Sequence, residues 1–140
     1  MPIVSKYKYL GVVFNDQWDW SDHVEYVLSS VGKKVNALEW RLWKNRALDV
    51  ETKVIAWKTI FRPALEYGSE VWWPHDKMPE LFERLRLKIC KWILGCAVTT
   101  PTAIVLGDLG VPTMRSRFVR ARLGFAGTVQ CMERERIASA

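Results

Sequence analysis

The sequence predicts a mainly α fold, about four to five helices behind one N-terminal strand, and three observations carry that prediction. Apolar residues recur at helical spacing over most of the chain after Trp20. Prolines, glycines and capping residues punctuate that pattern where helices should begin and end. Only one short segment, near the N-terminus, is rich in β-branched and aromatic residues. At 140 residues, 49% apolar and 26% charged, with eight tryptophans, five phenylalanines and four tyrosines, the chain can bury a core as a single domain and is unlike a disordered polypeptide.

The elements follow in order. "KYKYLGVVF", Lys6 to Phe14, ends at the turn signal Asn15-Asp16 and reads as one strand. One strand has no partner within itself, so its edges invite a missing sheet or self-association by strand addition. From Ser21, with Ser21 or Asp19 as cap, Val24, Val27, Leu28, Val31, Val35, Leu38 and Leu42 predict a long amphipathic helix to about Trp43. Asp49 caps a second helix that buries Val50, Val54, Trp57, Phe61 and Ala64. "RPALEYGSEVWWP", Arg62 to Pro74, then reads as a helical corner, with Pro63 kinking or restarting the helix and Gly68 ending it. Pro79 opens a third helix, Glu80 to Leu94, stopped by Gly95. Thr100 caps and Pro101 opens a short helix to about Leu109; Pro112 opens the last, from about Thr113 to Met132, weakened by Gly124 and Gly127.

Charge is unevenly divided. Residues 1–70 hold ten Lys/Arg against nine Asp/Glu, whereas residues 71–140 hold eleven against six, within a net charge of +6. Between Arg84 and Arg122 eight basic residues face Asp108 alone. Such a one-signed field attracts polyanions. "ERLRLKICKWILG" sets Arg84, Lys88 and Lys91 against an apolar face of Phe82, Leu85, Ile89 and Trp92 or Ile93; "TMRSRFVRARLGF" sets Arg115, Arg117, Arg120 and Arg122 around Met114, Phe118, Ala121 and Phe125. These seven cations are the candidate phosphate contacts, with a solvated charged face as the alternative.

Other chemistries find little support. The acidic residues are scattered, and Asp16, Asp19 and Asp22 lack the glycine and terminal glutamate of a calcium loop, so turn and cap roles are expected. Cys90 and Cys96 are spaced too widely for a zinc pair, and His23 and His75 lie far from them in sequence, so neither metal nor cofactor is expected. Trp57, Trp72, Trp73 and Trp92 fall at helical spacing and read as core rather than as base-stacking platforms. An odd count of three cysteines favours a reducing, intracellular setting, and no stretch approaches the roughly 18 apolar residues of a membrane span.

Three stretches in this order, "YKYLGVVFNDQWDWSDHVEYV", "AWKTIFRPALEYGSEVWWP" and "LFERLRLKICKWILG" with "TTPTAIVLGDLGVPTMRSR", resemble the region after the palm of reverse transcriptases from non-long-terminal-repeat retrotransposons, over about Lys6 to Arg120. The resemblance implies that Lys8, Tyr9, Leu10 and Gly11 correspond to the primer grip, so that residues 1–16 are a remainder of a palm. Residues 17–140 then form one helical, thumb-like and post-thumb unit lying along a template–primer duplex. It also implies that the catalytic carboxylates, in an aromatic-Ala-Asp-Asp strand, lie upstream of this segment. The expected function is therefore weak, backbone-directed binding to an RNA–DNA or DNA duplex without catalysis, the parent protein being an RNA-directed DNA polymerase. A helical protein–protein interaction module, or a non-functional retroelement remnant, is the alternative.

Overall fold

A computed structural model describes residues 5–72 and 78–138 of the chain. Trp73, Pro74 and His75 lie outside the described residues. As expected from the sequence, the fold is mainly α; its N-terminal end carries a short two-stranded antiparallel sheet.

That sheet corrects the reading of a single strand. Lys6–Phe14 is a hairpin: β1, Lys6–Tyr9, pairs antiparallel with β2, Val12–Asn15, in the register Lys6↔Asn15 to Tyr9↔Val12. Leu10 and Gly11 form the two-residue turn, with φ of 46° and 85°. Positive φ at both positions makes a primed turn, whose twist matches that of the strands it joins. Leucine in this conformation costs about 1–2 kcal/mol, which is why "LG" between two apolar runs does not read as a turn. The cost is offset from a distance: the Tyr67 hydroxyl donates to the Leu10 carbonyl at 3.1 Å, and the Tyr67 ring lies against Gly11. The strand edges that were expected to lack a partner therefore satisfy each other on one side.

α1, Ser21–Ala37, buries Val24, Val27, Val31 and Val35 along the expected stripe. Trp20 occupies its N-cap position without a side-chain bond, while Asp19 accepts from the backbone N–H and hydroxyl of Ser21. The helix does not continue regularly to Trp43; it gives way to a π-helical turn, Glu39–Trp43, that swings Trp43 inward, where its indole N–H reaches the Val35 carbonyl at 3.1 Å. α2, Val50–Ala56, is capped by Asp49 as expected. It passes through a π-helical turn, Trp57–Phe61, into α3, Arg62–Glu66. Pro63 supplies the physical reason: it lacks an N–H and crowds the carbonyl four residues back, which a locally widened helix accommodates.

α4, Met78–Leu94, α5, Thr102–Leu109, and α6, Met114–Ala138, complete the chain. Pro101 is the N-cap of α5, where Thr100 was expected to cap, and Gly110 in left-handed conformation closes it. α6 runs through Gly124 and Gly127 beyond its expected end. Met114 and Phe118 are buried, whereas Phe125, expected to face inward, is exposed.

These elements meet at Trp72. Its indole donates to the Tyr67 carbonyl at 2.9 Å across the corner that Gly68 makes at φ 71°. Its ring packs on His23 of α1, Phe82 of α4 and Phe118 of α6, with centroids 4.9, 5.7 and 5.5 Å away. The proline-, glycine- and tryptophan-rich corner is thus the point through which hairpin and helices are locked together.

Candidate nucleic-acid interface

The seven candidate phosphate contacts do not share one face. Arg84 of α4 and Arg115 of α6 line the same cleft, about 530 Å³, with Leu87, Thr102, Leu106 and Thr113 on its walls. A third cation in that cleft, Arg86, is buried and committed: it donates to Glu83 at 2.7 Å and to the Val111 carbonyl at 3.1 Å. Glu83 in turn accepts from the Met114 backbone N–H at 2.5 Å, placing a carboxylate at the positive N-terminal end of α6. This strap fixes α4 to α6 and keeps Arg84 and Arg115 close.

Arg117 and Arg120 line a different cleft of α6, with Glu66, Glu70 and Phe125. Arg117 is bound in bidentate fashion by Glu66, its Nη2 at 2.8 Å from Oε2. Hydrogen bonding to that carboxylate raises the guanidinium pKa above its ordinary value. Its charge is therefore largely cancelled within the fold. Lys91 donates to the Val98 carbonyl, tying down the segment after α4. Arg122 is exposed on α6.

Lys88, one turn along α4 from Arg84, reaches toward α1. Its ammonium donates to Asn36 at 3.1 Å and lies 4.7 Å from the centroid of the Trp92 ring. Lys44 approaches the same ring at 5.4 Å and Trp40 at 4.5 Å, while pairing with Glu39 at 2.5 Å. Sequence reading missed Trp40 and Lys44. The available signal was that Trp40 falls off the apolar stripe of α1, on the polar side, where an indole has no core to enter. Trp57 and Trp72 are buried core residues, as read from their spacing, and Trp92 is half-buried.

Lys8, Tyr9, Leu10 and Gly11, expected from the resemblance to correspond to the primer grip, lie at the turn end of the hairpin. Lys8 donates to the Tyr26 hydroxyl at 2.5 Å and stacks over its ring, Tyr9 is exposed, and Leu10 and Gly11 form the turn held by Tyr67. Among the described residues no three His, Cys, Asp or Glu side chains converge as a metal site, and no helix is long and apolar enough to cross a membrane.

Fold and surface together define a mainly helical unit whose chemistry-bearing groups are outward-facing cations and indoles. Comparison with curated proteins identifies its kin. The chain is 26% identical over 108 residues to a probable RNA-directed DNA polymerase from transposon X-element, and 30% identical over 109 residues to the RNA-directed DNA polymerase from mobile element jockey, both of Drosophila melanogaster. These matches cover 76% and 77% of the chain and 12% of each relative, so the chain spans about an eighth of the length of the relatives it matches. The chain thus resembles reverse transcriptases of non-long-terminal-repeat retrotransposons, as its motifs indicated. No family model matches it, and no solved structure does.

Proposed function

We propose that the chain is a thumb-like segment of a retrotransposon reverse transcriptase that contributes weak, salt-sensitive binding to the backbone of a template–primer duplex and is not catalytic by itself. On this reading residues 1–16 are the primer-grip-like part and residues 17–140 the helical part beside the duplex, within a parent RNA-directed DNA polymerase. The observation that carries it is the pairing of Arg84 with Arg115 across one cleft, in a chain similar to such polymerases over most of its length. Arg120, on the same helix as Arg115, extends the set; among the described residues no carboxylate forms an ion pair with any of these three. Three free thiols fit an intracellular setting.

The test is fluorescence anisotropy of a labelled RNA–DNA hybrid titrated with the full chain at low salt, beside a variant carrying Arg84→Ala, Arg115→Ala and Arg120→Ala. Loss of binding in the folded variant supports the reading. Equal binding by the two proteins removes it.

A further inference from the structure

We propose a second binding site, farther along α4 where it faces α1: Trp40 and Trp92, flanked by Lys44 and Lys88, form a stacking site for the bases of single-stranded nucleic acid. It rests on the reading of the chain as a nucleic-acid binder only in its choice of ligand; the cluster itself stands on geometry. Asn36 and Trp40 lie four residues apart and present one stripe at the junction of α1 with its π-helical turn, while Lys88 and Trp92, at i and i+4, present the facing stripe of α4. Lys88 binds Asn36 across this junction at 3.1 Å. Both ammonium groups lie within 4.5–5.4 Å of an indole centroid, Lys88 and Lys44 both beside Trp92.

Trp40 remains 72% exposed even with the Lys44 ammonium 4.5 Å from its centroid, so most of its ring faces solvent. A large indole left in water beside cations is poorly explained by folding, because its apolar area contributes nothing to the core. It matches a ligand with flat apolar faces and a regular negative charge. Unpaired bases supply the faces and phosphates the charge, stacking on tryptophan with little regard to sequence. A duplex cannot use the site, since its base faces are occupied by their neighbours. An acidic protein segment would satisfy the lysines but leave the indole unused.

The geometry also ranks the lysines. Lys44 is already paired with Glu39 at 2.5 Å, whereas the partner of Lys88 is the neutral Asn36 amide. Lys88 is thus the principal phosphate contact and Trp40 the principal platform.

The experiment titrates a labelled oligothymidylate of about 12 nucleotides, and separately the hybrid duplex, with the full chain and with Trp40→Ala, Trp40→Tyr and Lys88→Ala variants. Trp40→Ala is expected to weaken the single strand by about 5- to 150-fold while leaving the duplex unchanged. Trp40→Tyr recovers most of the loss, since an aromatic face returns. Lys88→Ala lowers the salt slope for the single strand by about one. The inference is overturned if the wild-type chain does not bind oligothymidylate, if Trp40→Ala binds it as wild type does, or if polyglutamate displaces it as well as unlabelled oligothymidylate does. Failure here with the duplex result intact leaves the thumb-like reading standing; failure of duplex binding alone leaves this site standing.

Discussion

His23 makes the stability of this fold depend on pH in a window where few other groups act. Its ring is fully buried, its Nδ1 accepts from the Val13 backbone N–H at 3.2 Å, and its edge packs on Trp72. An accepting Nδ1 means a neutral imidazole with its proton on Nε2. Burial holds its pKa below the ordinary 6.5. In the unfolded chain the same ring titrates near about 6.5. Below that pH the unfolded state binds more protons than the native one, so unfolding free energy falls on acidification and is fully regained above it. One proton sets the limit: about 1.4 kcal/mol per pH unit between the unfolded and folded pKa values. The carboxylates Asp22 and Asp49, both with lowered pKa values, act below their ordinary 3.8 and do not enter this window. The assay is urea unfolding followed by tryptophan fluorescence from about pH 5 to pH 8, comparing the wild type with His23→Asn. Asparagine keeps an acceptor near Val13 but cannot titrate, and His75 is common to both proteins and cancels. The variant should be less stable at neutral pH, through lost packing, yet its stability should change less steeply below about pH 6.5. Parallel pH profiles would refute the assignment of a neutral, pH-sensitive His23 to the hairpin–helix junction.

Three further outcomes follow from the same geometry. Gly68→Ala places a Cβ at φ 71°, 3.3 Å from Val12 and 3.4 Å from the Trp72 indole, and should cost about 1–2 kcal/mol; an unchanged urea midpoint would mean that the corner relaxes freely. Glu66→Gln weakens the bidentate pairing of α3 with Arg117 on α6 and should cost about 1 kcal/mol, a difference that added salt narrows by screening the wild-type pair. Native thiol titration should find Cys131 fast, Cys96 slower and Cys90 silent until urea unfolds the chain, because Cys90 is buried and its thiol is pushed up to about 11; early modification of Cys90 would contradict its place in the core.

Much of the fold was legible because helix boundaries here obey local rules. The valine stripe of α1, the Asp49 cap and the Pro79 start are written in neighbouring residues. The hairpin was not legible for the opposite reason. Leu10 takes a left-handed conformation that its own chemistry disfavours, and the group that secures it, Tyr67, lies 57 residues away. The two π-helical turns are likewise responses to packing and to Pro63, not to local propensity. Of the candidate site, the basic character of α4 and α6 was readable but its division among faces was not. Lys88, Arg84 and Arg117 look alike in sequence, yet one faces an indole, one lines an open cleft and one is bound by Glu66. Only the fold separates cations held by carboxylates from those facing water.

The salt dependence of hybrid-duplex binding tests the central claim most directly. With Arg84, Arg115 and Arg120 as about three phosphate contacts, log affinity against log salt should fall with a slope of about −2.7. The triple arginine variant should bring that slope to near zero. A wild-type slope near zero, or no binding at low salt, would contradict a backbone-binding role for this chain.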